Sequence, residues 1–219
     1  MKHWICLIVI FLLPTALLAE GWIIGAGGGV SSQYGGHTRN VGTFQIGGAY
    51  EFLLSDDWTF SPGLRFAAKG WKDRDRVMQV YDDNGHAVTD ENGQPIMGKM
   101  NVTSNTNYVE LPLLFTYSLS LKGEEQILLS VGPYVGYGIG GNTKTRGDTQ
   151  QSGAARLYYS HSTFSRSDMN RFDGGLTMGV AYQFSPNMSV GVSSDFGMLR
   201  SSKSGGKNVA FLLSLGYRF

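Results

Sequence analysis

The feature that most restricts the fold of this chain is an alternation of period two that recurs in eight segments. In the last of them, every second residue is apolar: Val209, Phe211, Leu213, Leu215, Tyr217 and Phe219. A β-strand directs successive side chains to opposite faces, so the pattern predicts strands rather than helices. The eight predicted strands cover residues 22–30, 42–52, 58–68, 109–119, 127–139, 172–184, 188–198 and 209–219.

The two sets of alternating residues differ in charge. The apolar set holds no charged residue and only one polar one, Ser194. The opposite set is mostly Gly, Ser, Thr and Ala, and it carries Glu51, Arg65, Lys69, Glu110, Asp173, Asp195 and Arg218. Segments of about 10 residues with one uniformly apolar face are typical of tilted membrane-spanning strands, and eight is an allowed strand number.

The connections between the predicted strands alternate strictly in length. Residues 53–57, 120–126 and 185–187 form short turns, whereas 31–41, 70–107, 141–171 and 199–207 form long connections. In an up-and-down barrel this order places all short turns at one end and all long loops at the other. Outer-membrane barrels have this arrangement, with short periplasmic turns and long external loops. The sequence therefore predicts an all-β fold, an eight-stranded antiparallel up-and-down transmembrane β-barrel.

Aromatic residues of the apolar set concentrate at the strand ends beside the short turns. They form a predicted periplasmic-side aromatic girdle: Trp22, Tyr50, Phe52, Trp58, Phe60, Tyr117, Tyr182, Phe184, Tyr217 and Phe219. A thinner girdle is predicted at the other end, with Phe44, Phe66, Tyr137, Phe172 and Phe196. Amphipathic rings favour membrane interfaces. The alternative, a soluble barrel with this set facing inward, fails because eight strands enclose too little space for so many large side chains.

The opposite set of residues predicts a polar but occupied lumen. Many of the chain's 31 glycines fall in this set, and they leave room for charged side chains inside a narrow barrel. Buried charges are costly unless paired, so we expect Arg65 and Lys69 to lie near Glu110 and Asp173. Glu51 and Arg218 both fall at the turn end. A structural network is the favoured interpretation, and a proton or ion path is the alternative.

The N-terminus has the pattern of a secretory signal peptide. Lys2 precedes an apolar run that begins at Trp4, and Ala19 provides a small residue for cleavage. We therefore expect residues 1–19 to be removed and residues 20–219 to form the barrel domain. The single cysteine, Cys6, lies in the removed segment. The predicted mature chain consequently has no disulfide and no thiolate chemistry.

The long connections carry the remaining candidate residues. In 70–107, Asn84-Gly85 and Asn92-Gly93 are type I′ turn signals, which favours strands extended beyond the membrane with small hairpins between them. The 141–171 connection is rich in residues that suit a binding surface or lipopolysaccharide phosphates: Arg146, Arg156, Tyr158, Tyr159, His161, Arg166 and Arg171.

Enzymatic chemistry finds little support in the sequence. His37, His86 and His161 fall on different loops without metal-ligand spacing, and Ser160-His161-Ser162 alone does not define a triad. The acidic residues of 70–107 lack the spacing of a calcium loop. We therefore expect no catalytic residue, no metal and no cofactor. Balanced charge also argues against a nucleic-acid partner.

Three segments resemble PorT-like outer-membrane β-barrel proteins. NYVELPLL at 107–114 is similar to their Y-[LV]-E-[IL]-P-L-L strand, GPYVGY at 132–137 to their GPY-GY strand, and RFDGG at 171–175 to their strand entry. Phe219 is similar to the C-terminal aromatic residue that the barrel-assembly machinery recognises. The resemblance implies a compact barrel in the outer membrane of a Gram-negative bacterium, and it raises an accessory role in protein secretion.

The favoured function is non-enzymatic: envelope structure, or binding and adhesion through the external loops. Outer-membrane lipid including lipopolysaccharide, and a protein at the external loops, are the expected partners. The alternatives are the secretion role and a lipid-modifying outer-membrane enzyme.

Overall fold

A closed antiparallel ring of eight strands forms the body of the protein. The computed structural model describes residues 19–35, 38–80, 86–147, 158–165, 167–203 and 205–219. Around the ring the order is β3-β2-β1-β10-β9-β8-β5-β4, and pairing of β3 with β4 closes it. The ring strands are β1 (Ala19–Tyr34), β2 (Val41–Ser55), β3 (Trp58–Gln79), β4 (Met97–Ser120), β5 (Gln126–Gly140), β8 (Phe172–Ser185), β9 (Met188–Arg200) and β10 (Lys207–Arg218).

The predicted fold class is confirmed. Neighbours in the ring are neighbours in the chain once β6 and β7 are set aside, which is the up-and-down topology. The ring strands connect through tight turns at one end, where Ser55 pairs with Trp58, Ser120 with Gln126 and Ser185 with Met188. No helix among the described residues is long and apolar enough to span a membrane.

Side chains alternate between the two faces of the wall as the sequence pattern requires. The apolar set points outward, where Trp22 is 60% and Leu213 is 61% exposed. The opposite set points into the lumen, where Tyr108 and Glu110 have no exposed surface. Exposed apolar side chains in a continuous band are stable only against hydrocarbon, so the outer face is the membrane face.

The 141–171 connection, predicted as a loop, contains two further strands. β5 pairs with both β4 and β8, and the chain kinks after it at Gly141 (φ 140°). Beyond the kink it continues as β6 (Asn142–Gly147), which pairs with β4 but not with β8. β7 (Tyr158–Ser162) pairs with β6, and the single-turn 3₁₀ helix Thr163–Ser165 follows it. Thus β3, β4, β6 and β7 form an external sheet beyond the barrel.

The far end of the external sheet is a packed tip. Val80 and Met100 are buried there against Met78, Val88 and Ile96. The second Asn-Gly pair lies in a tight turn, but Gly93 donates its N–H to the Asp90 carbonyl oxygen at 3.0 Å. The turn therefore runs from Asp90 to Gly93, and Asn92-Gly93 occupies its third and fourth positions. In the predicted type I′ turn the pair would occupy the second and third positions. The first pair lies outside the described residues.

A proline inside a strand lacks the N–H for the ladder and therefore predicts a local irregularity. The prolines of the ring strands nevertheless do not disturb the register. Pro62 lies opposite Leu113 and Pro112 opposite Tyr134, and the pairing continues unshifted on both sides of each. Each strand residue directs its single N–H to one neighbour, so one proline removes one ladder bond only. The predicted signal segment lies outside the described residues except for Ala19.

Candidate functional site

A cluster of charged side chains crosses the lumen of the barrel. It contains Arg65 and Lys69 on β3, Glu110 on β4, Asp173 on β8 and Asp195 on β9. The pairing register creates it, because Arg65 lies opposite Glu110, Glu110 opposite Gly136, and Gly136 opposite Asp173. Gly136 must be small: a Cβ there would lie 3.0 Å from Cγ of Glu110.

Arg65 joins opposite walls of the barrel. Its Nε lies 2.8 Å from Oε2 of Glu110, and its Nη2 lies 2.9 Å from both carboxylate oxygens of Asp195. β3 and β9 are four strands apart in a ring of eight, so the contact with Asp195 spans the full diameter. The lumen is therefore crossed by protein at this level.

Lys69 is the central cation of the cluster. Its Nζ lies 2.6 Å from Glu110, 3.3 Å from Asp173 and 3.5 Å from Asp195. The ammonium also lies 4.3 Å from the centre of the Tyr134 ring. Only 2% of the lysine side chain is exposed, so its solvation comes from these partners.

Neutral hydrogen-bond donors provide further contacts to the carboxylates of Asp173 and Asp195. Asp173 accepts hydrogen bonds from the Tyr134 hydroxyl (3.3 Å) and from Nδ2 of Asn208 (3.2 Å). Asp195 accepts one from the Thr177 hydroxyl at 2.7 Å. The sequence places Arg65 and Lys69 near Glu110 and Asp173. In the structure both cations contact Glu110 and Lys69 contacts Asp173, whereas Arg65 also contacts Asp195, which the sequence did not pair with it.

A separate ion pair lies at the turn end of the lumen. Nη2 of Arg218 on β10 lies 2.9 Å from Oε2 of Glu51 on β2, across the intervening strand β1. Arg218 is more accessible than the central cluster, with 24% of its side chain exposed. A cavity of about 240 Å³, lined mainly by small residues, separates this end from Arg65 and Thr177. It is large enough for several water molecules.

An aromatic ring that no sequence pattern indicates, Phe164, packs inside the lumen at its loop end and is called the plug. Phe164 is 7% exposed, and its ring meets Tyr108 edge to face at 5.9 Å. A Cβ at Gly138 would lie 2.2 Å from Cζ of Phe164, so the ring needs a glycine there. Arg171 lies over the same ring and donates to the Gly138 carbonyl oxygen at 2.9 Å.

The polypeptide beside Phe164 is fixed by hydrogen bonds. The Thr163 hydroxyl donates to the Asn105 carbonyl oxygen at 2.8 Å, and its N–H donates to the Gly141 carbonyl oxygen at 3.0 Å. Thr163 has no exposed surface. The plug is therefore held against β4 and the end of β5.

The ten residues predicted as an aromatic girdle lie on the outer face at the turn end. Neighbouring rings contact one another, as in Trp22 with Tyr50 at 5.0 Å and Trp58 with Tyr117 at 5.1 Å. Tyr217 meets Phe219 at 4.9 Å. Contacts of this kind stabilise each other and favour a fixed depth in the membrane.

The candidate residues of the 141–171 connection fall into two groups. Arg146 on β6 lies opposite Tyr158 on β7, and Tyr159 and His161 follow on β7, whereas Arg171 lies at the Phe164 ring. His161 is exposed on β7, cross-strand from Thr143, whereas His86 lies near the tip. Within the described ranges there is no group of three His, Cys, Asp or Glu side chains that could hold a metal ion. Arg146 lies on β6. His37, Arg156 and Arg166 are outside the described residues.

Comparison with known proteins gives a family. The sequence profile of the outer membrane protein beta-barrel domain matches residues 21–202. Among solved structures, the chain is similar to Ail, the attachment invasion locus protein of Yersinia pestis, with 15% identity over 91% of this chain and 97% of that chain, and a TM-score of 0.38. Neisserial surface protein A is 12% identical over 91% of this chain and 97% of that chain, with a TM-score of 0.39. The N-terminal barrel of Pseudomonas aeruginosa OprF is 12% identical over 92% of this chain and 99% of that chain, with a TM-score of 0.34.

Among curated proteins, no sequence matches significantly. The structural similarities are too weak to carry a functional argument, so the assignment rests on the profile, which covers most of the barrel and is not specific to PorT-like proteins. The chain therefore belongs to the outer membrane β-barrel protein family.

Proposed function

We propose that this protein is a non-enzymatic outer-membrane anchor that presents its external sheet to a protein partner outside the cell. The observation that carries the proposal is the length of β3 and β4, which have 22 and 24 residues. About 9–11 residues suffice to cross a membrane. The remaining residues of both strands continue past the barrel, and β6 and β7 widen the projection.

The external sheet has the properties of a binding element. Its tip has an apolar cluster of its own, centred on Val80 and Met100, which gives the projection a defined shape. Val77 on β3 is 59% exposed and Met97 on β4 is 49% exposed, which leaves apolar surface available near the tip. Well-formed surfaces with exposed apolar residues are typical of recognition sites.

The lumen supports an anchor rather than a pore. The contact between Arg65 and Asp195 crosses its full diameter, and the Phe164 ring packs inside its loop end against Tyr108. The role proposed for the charge network (Glu51, Arg65, Lys69, Glu110, Asp173, Asp195, Arg218) is therefore structural. We further propose that residues 1–19 direct export in a Gram-negative bacterium, and that the turn end with its aromatic girdle faces the periplasm.

A deletion at the tip tests the binding function. Replacing residues 74–101 with Asn-Gly joins Asp73 to Val102, which are already paired, and removes the outer part of the sheet. The matched control replaces residues 121–125 with Asn-Gly at the turn end, where Ser120 and Gln126 are paired. Both variants should retain heat-modifiable migration of a folded barrel.

The readout is attachment of cells that display the full chain or a variant, to each other and to surfaces coated with cell-surface protein. We expect the tip deletion to abolish attachment and the turn control to preserve it. Attachment unchanged by the tip deletion would contradict the proposal. Periplasmic retention of secreted proteins in a deletion strain would favour the secretion role. A lipid-modifying activity that is lost in His161→Ala alone would favour an enzyme.

A further inference from the structure

A row of cations crosses the outer face of the external sheet near its base. Arg39 pairs with Lys72, Lys72 lies opposite Thr103, and Thr103 lies opposite Lys144. Cross-strand partners share a face. Thr103 points outward, since the residues before and after it are buried on the inner side. The three basic side chains of this row, Arg39, Lys72 and Lys144, therefore continue the membrane-facing surface upward.

The row has no internal counter-charge among the described residues. The ion pairs of that part of the chain involve the lumen groups, and none joins a carboxylate to Arg39, Lys72 or Lys144. Like charges directly opposite each other on neighbouring strands are destabilising. An anion between or beside Arg39 and Lys72 would relieve this repulsion.

The outer face changes character in three steps from the membrane to this row. An aromatic row at the external interface comes first, with Phe66, Tyr137 and Phe172 aligned across β3, β5 and β8. Uncharged amides follow on the same face: Asn105, Asn107 and Asn142. The cation row comes third. A ligand matching this order is apolar, then rich in hydroxyl groups, then anionic.

The height of the row separates two classes of lipid. Lys72 lies six residues beyond Phe66 on β3, which is about 20 Å along the strand at 3.3 Å per residue. With a strand tilt of 35–45°, this is roughly 15 Å along the membrane normal. The headgroup layer of a phospholipid adds only about 5–8 Å beyond the hydrocarbon. Phospholipid phosphates therefore lie below the row, whereas the sugars of a glycolipid extend to it.

We propose that Arg39, Lys72 and Lys144 bind phosphate groups in the saccharide portion of an outer-leaflet glycolipid of the lipopolysaccharide class. The amides below them face the sugar hydroxyl groups. The site differs from the one that the sequence favoured, because Arg171 of the 141–171 connection is engaged with Phe164 and the Gly138 carbonyl oxygen. The inference does not depend on a protein partner at the tip.

The test uses the full chain reconstituted in phospholipid nanodiscs. The site variant carries Arg39→Gln, Lys72→Gln and Lys144→Gln. The control variant carries Lys99→Gln, Lys122→Gln and Lys203→Gln, which removes the same charge at three separate exposed positions: on β4 at the tip, in the turn between β4 and β5, and in the connection between β9 and β10. The probes are fluorescent short-chain lipopolysaccharide, the same material after dephosphorylation, phosphatidylglycerol vesicles and a soluble sulfated glycan.

We expect the site variant to bind phosphorylated lipopolysaccharide at least tenfold more weakly than the parent, with a smaller dependence of affinity on salt. The control variant should change by less than about twofold, and both should show heat-modifiable migration. Equal binding by parent and site variant overturns the proposal, as does equal binding of the dephosphorylated probe. Equally tight binding of phosphatidylglycerol or of the soluble glycan overturns the assignment to a glycolipid.

Discussion

Replacing Lys69 with methionine is expected to lower the free energy of unfolding by about 3–5 kcal/mol, the usual effect of removing one partner from a buried ion pair. Methionine has nearly the same length and shape, so the loss reports charge rather than packing. The lysine Nζ touches three carboxylates at 2.6, 3.3 and 3.5 Å. At an effective dielectric constant of about 20, each contact supplies roughly 5 kcal/mol of attraction before desolvation.

The net effect is smaller than this gross attraction because burying each ion costs several kcal/mol. Without Lys69, however, Glu110, Asp173 and Asp195 share a single cation, Arg65, inside a lumen that exposes little of them. The three carboxylates still pay the cost of burial, but they lose most of the attraction that offset it. A loss of 3–5 kcal/mol corresponds to between about a hundredfold and several thousandfold in the folding equilibrium.

Lys72→Met is the matched control, because Lys72 lies three residues further along the same strand and on the outer face. It is expected to change the unfolding free energy by no more than about 0.5 kcal/mol. The assay is urea unfolding in lipid vesicles, followed by the fluorescence of Trp22, Trp58 and Trp71, of which the first two lie at the membrane interface. Adding Asp173→Asn to Lys69→Met should recover about 1 kcal/mol or more.

Two results would refute the reasoning about Lys69. One is a loss below about 1 kcal/mol, which would mean that the buried lysine is solvated by water rather than by its three carboxylates. The other is an equal loss in Lys72→Met, which would mean that any lysine substitution in β3 acts through the strand itself.

Three further substitutions probe other parts of the barrel. Gly138→Val should displace the Phe164 ring and open the chain to chymotrypsin after that residue, while Gly140→Val, which has no atom within 4 Å of its added Cβ, should not. Glu51→Gln should cost about 1 kcal/mol or less in the same urea assay, because its arginine partner is 24% exposed and screened by solvent. Deleting Phe219 should slow assembly in cells but leave refolding of the purified chain in vesicles unchanged; equal slowing of both would contradict a role in recognition by the assembly machinery.

The sequence predicts the ring because lipid contacts one face of each strand only. An uncharged face next to a face of small and charged residues indicates both the strands and their orientation. Turn residues locate the tight connections for the same reason, since the pattern stops there. The sequence therefore predicts the eight strands, their order and which side chains enter the lumen.

The external sheet escaped prediction in part because its buried inner face is largely polar, with Ser104, Thr143 and Thr145 beside Val102. β6 and β7, with sequences NTKTRG and YYSHS, show no alternation between apolar and polar residues. Their pairing comes from continuity with β4 and β5. Phe164 escaped prediction for a related reason: one aromatic residue in a polar connection has no periodic context, and only the fold brings it to Gly138.

The contact of Arg65 with Asp195 was also beyond the sequence. Neighbouring strands can be aligned from turn lengths, which is enough to place Arg65 near Glu110. Contact with Asp195 on the opposite wall depends on the stagger of strands around the closed ring. That stagger accumulates over four strand pairs, and no short sequence pattern records it.

The charge cluster also explains why the barrel has a single register despite its many glycines. Slipping one strand by one residue would move its inward side chains to the lipid face. For β3 this would carry Arg65 and Lys69 into hydrocarbon, at about 2–4 kcal/mol each near the membrane midplane. It would also leave Glu110 and Asp195 buried without their cations. A lumen of glycine, serine and alanine alone would oppose such a slip only weakly. The charged side chains therefore have two effects: they cross the lumen, and they exclude alternative registers.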